Sequence, residues 1–213
     1  MIGVFGGTFD PVHYGHIKPA LSIQQVLHLS QILFIPNGIP PHRTIPWLDA
    51  EQRLSLLQSA LKKYPDLVID QREINRAGPS YMIDTLRSLR KDYPDEGLCL
   101  IIGMDAFFGI TQWHQWQRLF DLCHLVVTTR PGFKQESLAE HLSSENYQFL
   151  RSRMTQDVKA LAPKEVGKIL LQSVPQLDIS STQIRAKLLA DEDIGQWMPI
   201  EAYQKLRGFI NDN

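Results

Sequence analysis

A chain of 213 residues can bury a core of its own without disulfide or metal staples, and it fits one ordinary domain. Its 22 basic and 23 acidic residues leave a formal net charge of -1, which argues against a polybasic nucleic-acid binder and against a disordered acidic tail. Any anionic ligand must therefore be gripped by local features.

The two cysteines, Cys99 and Cys123, lie in apolar runs and form no CxxC pair, so neither a disulfide framework nor a structural zinc site is expected. No apolar run approaches the roughly 18 residues of a membrane span. The start, MIGVFGG, lacks the basic and small-residue features of a signal peptide. A cytoplasmic protein with no membrane or nucleic-acid partner is expected.

Taken in chain order, short β-rich runs alternate with stretches of helical period. The runs are IGVF (2–5), ILFIP (32–36), LVIDQ (67–71), LCLIIG (98–103), HLVVTT (124–129) and KILLQSV (168–174). After the first, a helix beginning near Val12 with Pro11 in its first turn would bury Ile17, Ala20, Leu21 and Leu27. After the second, Asp49 and Gln52 form a candidate capping box for a helix burying Leu54, Leu57, Leu61 and Tyr64. A third helix, capped by Ser80, would bury Met82, Leu86, Leu89 and Tyr93. Residues 131–165 read as a helical excursion before the last strand.

Repeated strand–helix units predict a doubly wound, Rossmann-like α/β fold, a parallel sheet with helices on both faces. One domain spans 1–213, with a small helical part from about 175 that carries ISSTQIR. Ligands in such folds bind beyond the carboxyl ends of the strands. The residues that a core does not need cluster there: GGTFDP after the first strand, NGIPPHR after the second, GMD after the fourth and TRPG after the fifth.

The first of these runs on as GGTFDPVHYGH, residues 6–16. Gly6 and Gly7 allow a tight turn and close approach of a ligand, and the pattern is neither GxGxxG nor a P-loop. His13 and His16, three apart near a helix N-terminus, would present two imidazole donors beside free N–H groups, a site for polyphosphate. A metal is the rival reading, and it needs further ligands that only Asp10 or His42 could supply.

ISSTQIR (179–185) opens a capped helix whose hydroxyls, N–H groups and Arg185 could cradle a polyphosphate. Prolines 36, 40 and 41 stiffen a turn at Asn37 and Gly38 that ends in His42 and Arg43. Asp105 could accept hydrogen bonds from a ribose, or simply cap a helix. Trp113 and Trp116 would share a helix face with Phe120, either as core or as a stacking surface for a flat ring.

With its HxGH core, GGTFDPVHYGH resembles the signature of the nucleotidyltransferase superfamily. Joined by IPNGIPPHR, PSYMIDTL, IIGMDAF and ISSTQIR in the same order, it resembles the bacterial nicotinate mononucleotide adenylyltransferases over almost the whole chain. That resemblance implies adenylyl transfer from ATP to nicotinate mononucleotide, with Mg²⁺ accompanying ATP and no dedicated protein metal cage. It implies a catalytic set of His13, His16 and Arg43. Contacts to ATP fall on Gly6, Gly7, Thr8, Phe9, His16, Gly103, Asp105, Ser181, Thr182 and Arg185. The acceptor falls to Thr8, Asn37, Ser80, Tyr81, Met82, Thr85 and Trp113, with the Tyr81 and Met82 amides receiving its carboxylate. Two alternatives stay open: a different acceptor on the same fold, as in phosphopantetheine adenylyltransferases or cytidylyltransferases, or a non-catalytic nucleotide sensor.

Overall fold

The computed structural model describes residues 1–40, 45–129, 139–162, 164–175 and 177–211. Arg43 and His42, Pro41 and most of TRPG lie outside the described residues. Strands β1 (Ile2–Gly7), β2 (Gln31–Pro36), β3 (Leu67–Ile69), β4 (Leu98–Gly103), β5 (His124–Thr129), β6 (Met154–Thr155) and β7 (Ile169–Ser173) form one sheet in the order β3-β2-β1-β4-β5-β7-β6. Every described pairing is parallel. The chain runs outward from β1 to β3, then returns to place β4 on the other side of β1, so strand order switches between β1 and β4.

Parallel strands covered on both sides should be mostly apolar, and the central ones are, with polar residues confined to strand ends and to the later strands, as at Gln31, His124, Thr128 and Gln172. Alternation of period two then divides each strand between two cores. Ile32 and Phe34 face one cluster while Leu33 and Ile35 face the other; Cys99 and Ile101 are likewise split from Leu98, Leu100 and Ile102. Both cysteines are buried and free.

On the first face lie α1 (Tyr14–Leu27) and α2 (Ala50–Leu61), joined by the C-terminal α6 (Ser181–Leu189) and α7 (Ile200–Asn211). Ile184, Leu188, Ala202 and Leu206 share one continuous core with Leu56 and Leu57. On the second face lie α3 (Met82–Asp92), the 3-10 turns around 110–121 and α5 (Ser144–Arg151), with Ile83, Leu86, Leu119 and Leu150 in its core. A short α4 (Met104–Phe108) follows β4 directly.

Several boundaries differ from the sequence reading. The β6 strand, two residues inside the 131–165 excursion, has too little apolar pattern to announce itself. The Asp49–Gln52 capping box is present, with the Gln52 N–H donating to Asp49 at 2.8 Å and the Asp49 N–H to Gln52 at 3.1 Å. Yet α2 buries Arg53, Leu56, Leu57, Ala60 and Leu61, a stripe rotated from the expected one, with Leu54 only half-buried. Helix α3 has Tyr81 rather than Ser80 at its N-cap, and Ile83 and Thr85 are buried beside Leu86 and Leu89, while Met82 and Tyr93 pack against that core only half-buried. Ser80 is bonded elsewhere, because its hydroxyl accepts the Gly38 N–H at 3.0 Å.

Candidate active site

Two cavities meet at the switch point. The larger, about 940 Å³, runs along the ends of β1, β4 and β5 to the start of α6; the smaller, about 350 Å³, lies between the β2 turn, the start of α3 and Trp113. They share Gly6, Gly7, Thr8, Asp105 and Ala106. A molecule in one can therefore reach a molecule in the other across the β1 turn.

Every residue expected to meet ATP lines the larger cavity: Gly6, Gly7, Thr8, Phe9, His16, Gly103, Asp105, Ser181, Thr182 and Arg185. Of the acceptor set, Thr8, Asn37, Ser80, Tyr81, Met82 and Trp113 line the smaller one. Thr85 does not. Its side chain is wholly buried beneath the cavity, and its hydroxyl donates to the Glu73 carboxylate at 2.5 Å. Of the two amides expected to receive a carboxylate, the Tyr81 N–H is already given to the Pro79 carbonyl at 3.1 Å. Met82 opens α3, where N–H groups lack intrahelical acceptors.

Helix α1 begins at Tyr14 with His13 as its N-cap, so Pro11 precedes the helix and His13 is not on its face. The two imidazoles meet by stacking instead, with ring centroids 3.8 Å apart and planes at 34°. The His13 backbone N–H donates to His16 Nδ1 at 3.3 Å, which leaves the His16 proton on Nε2. His13 is 4 % exposed, and its Nδ1 is buried without a partner. Burial pushes its pKa from 6.5 down to about 4, so the ring is neutral at neutral pH. Gly15 makes this packing possible, since a Cβ there would sit 2.8 Å from two atoms of the His13 ring.

Asp10, which with His42 is the possible further ligand of a metal reading, is held by the backbone of another segment, and His42 lies outside the described residues. Its carboxylate accepts the Trp47 N–H at 2.7 Å and the Leu48 N–H at 3.0 Å. Its backbone carbonyl accepts Arg185 Nη1 at 2.6 Å, and the Ser181 hydroxyl donates to the Pro11 carbonyl at 3.0 Å. These bonds pin the N-terminus of α6 to the β1 turn, so residues 170 or more apart in sequence share one wall. Ser180 caps α6, with the Gln183 N–H donating to its hydroxyl at 3.2 Å. Among the described residues no group of three or more His, Cys, Asp or Glu side chains could hold a metal ion.

The tryptophans part company, because they do not share a helix. Trp113 is extended between two 3-10 turns, and Gln115 takes a left-handed conformation (φ 52°) that turns the chain. Both are half-buried against the same core, but Trp113 lines the smaller cavity, while Trp116 packs edge-on against Phe120 and Phe149. The exposed His114 stacks on Tyr81 at 4.5 Å and adds a further wall.

Sequence reasoning misses Arg53 and Glu73. Arg53 does leave a signal, as a charged residue in register with the apolar stripe of α2. Nothing local marks Glu73, whose carboxylate is brought to the smaller cavity by the β3–α3 loop and raised in pKa by burial.

A parallel sheet with a glycine turn at its switch point and two adjoining cavities is the frame of a Rossmann-like nucleotide-binding protein, and comparison with known families places the chain in the cytidylyltransferase-like class. The model of that family matches residues 4–187, and the chain belongs to it. Within the family it belongs with the nicotinate-nucleotide adenylyltransferases. A "probable nicotinate-nucleotide adenylyltransferase" of Acidithiobacillus ferrooxidans is 42% identical over 198 residues, covering 93% of this chain and 89% of that protein. One of the same description from Methylococcus capsulatus is 46% identical over 189 residues, covering 88% of each. The solved nicotinic acid mononucleotide adenylyltransferase of Plasmodium falciparum, complexed with NaAD, shares the fold at a TM-score of 0.71 and 16% identity, over 98% of this chain and 95% of that one. Among the described residues no helix is long and apolar enough to cross a membrane.

Proposed function

We infer that the chain transfers the adenylyl group of ATP to nicotinate mononucleotide, giving nicotinate adenine dinucleotide and pyrophosphate, a step of NAD biosynthesis. The observation that carries this reading is the pair of cavities joined at Gly6–Thr8 and Asp105. The larger suits ATP and the smaller suits a mononucleotide with a flat ring beside Trp113. An oxygen of the acceptor's 5′-phosphate forms the new bond to the α-phosphorus, and the bond from that phosphorus to the pyrophosphate oxygen breaks. The nucleophile is already an anion, so neither a covalent intermediate nor a strong base is required; positioning and charge stabilisation supply the rate.

In this reading the two imidazoles donate to α-phosphate and bridging oxygens, His16 through Nε2. Thr8 and the glycine turn offer a hydroxyl and backbone N–H groups. Ser181, Thr182 and Arg185 receive the departing pyrophosphate at the start of α6, where free N–H groups favour an anion. Arg43 would bring a further cation to the reacting phosphates. Mg²⁺ would accompany ATP mostly through its phosphates and water. Such an ion would neutralise phosphate charge.

The test is pyrophosphate release with ATP and a panel of acceptors: nicotinate mononucleotide, its amide, phosphopantetheine and a phosphorylated alcohol. Release with the first is expected; release with none would favour a sensor, and preference for another acceptor would replace the assignment. His16→Ala should cut turnover about a hundredfold or more while changing ATP affinity little.

A further inference from the structure

One buried charge behind the cavities has no part in that mechanism. Arg53, on α2, is 1% exposed, and all its described hydrogen bonds go to backbone carbonyls. Nη1 donates to Thr8 at 2.8 Å, Nη2 to Asn37 at 2.8 Å and Gly38 at 3.4 Å, and Nε to Leu48 at 3.3 Å. Those carbonyls belong to three separate segments: the turn after β1, the turn after β2 and the approach to α2.

Each segment has a place in the site. Thr8 lines both cavities and Asn37 lines only the smaller. Leu48 and Trp47 hold Asp10, which in turn holds Arg185. From the opposite side Ser80 bonds Gly38, and Gly38 has no room to retreat, since a Cβ would lie 2.5 Å from the Glu73 carbonyl.

Stability alone does not call for a guanidinium here. Arg53 occupies a stripe whose other members are Leu56, Leu57, Ala60 and Leu61, and burying a cation costs more than burying a leucine. What a guanidinium adds is a planar fork that fixes several acceptors at set angles, which a lysine cannot reproduce.

We propose that Arg53 is a positioning residue for adenylyl transfer: by holding the β1 and β2 turns on one rigid fork it sets the acceptor phosphate against the α-phosphate of ATP. The proposal rests on the adenylyl-transfer reading of the two cavities. Its effect belongs in turnover, because displacement of one reacting group by about 1 Å costs on the order of a hundredfold in rate while both molecules still bind.

The experiment measures kcat and both KM values for wild type, Arg53→Lys and Arg53→Met, with thermal melts and near-UV circular dichroism to count folded molecules. Arg53→Lys is expected to lose about ten- to a hundredfold in kcat per folded molecule, with each KM changed less than about threefold. Unchanged kcat in both variants overturns the proposal, as does activity that falls only in step with the folded fraction. Failure of both variants to fold assigns Arg53 to stability and overturns it equally. A wild type that releases no pyrophosphate brings down the functional reading together with this one, whereas an active wild type beside unimpaired variants removes this one alone.

Discussion

Acid is expected to destabilise the protein through one imidazole, in a defined window. The His13 pKa lies at about 4 in the folded protein because burial disfavours its charge, against 6.5 for an open histidine. Above pH 6.5 neither the folded nor the unfolded chain holds the proton, and stability is unaffected by this group. As pH falls from 6.5 towards 4 the unfolded chain takes up a proton that the folded ring refuses, so folding loses free energy progressively. The gap between the two values corresponds to roughly 3 kcal/mol. That is a large share of the roughly 5–15 kcal/mol that holds a domain together. The measurement is urea unfolding of wild type and His13→Asn at a series of pH values from 4 to 8. Wild type should lose roughly 3 kcal/mol more than the variant across the window. His124 also has a pKa lowered mainly by burial, and it titrates in both proteins, so it cancels in the difference. Parallel curves would refute the claim that the ring is held neutral by burial.

Thr85→Val should destabilise by roughly 1–3 kcal/mol, because it leaves the buried Glu73 carboxylate short of a donor, while acceptor KM stays within about threefold of wild type; a large KM change without loss of stability would return Thr85 to the binding surface. Asp10→Asn turns an amide NH₂ towards the Trp47 or Leu48 N–H and removes the charge that pairs with Arg185 Nη1 at 3.7 Å, although the backbone bond to Arg185 remains. It is expected to lower the melting temperature by about 2–8 °C and to raise the KM for ATP more than that for the acceptor, read from paired melts and initial rates. Equal effects on both KM values would break the link from Asp10 to α6.

Much of the site is legible in the sequence, because its parts sit where strands end. GGTFDP, GMD and ISSTQIR each follow an apolar run, and the switch-point rule gathers such segments at one edge whatever the details of packing. The errors have a common origin in local geometry. Placing His13 on the helix face assumes a start near Val12, whereas the chain spends Pro11 to His13 on the turn and lets the two rings stack instead. The spacing of Trp113 and Trp116 suits one helix face, and a left-handed Gln115 sends one to the cavity and the other against Phe120 and Phe149.

The sequence by itself determined the parallel α/β architecture and the phosphate-handling character of GGTFDPVHYGH, since hydrophobic period and glycine placement are local properties of the chain. Only the tertiary structure decided which polar residues are available to a ligand. Asp10, Thr85 and Arg53 look alike in sequence as polar residues beside a site, yet each is consumed by partners that folding brings from elsewhere: Trp47 and Leu48 for Asp10, Glu73 for Thr85, and the carbonyls of Thr8, Asn37 and Leu48 for Arg53. A buried polar group must find a partner, and in all of these bonds but the local one from Arg53 to Leu48 the partner comes from another segment of the chain.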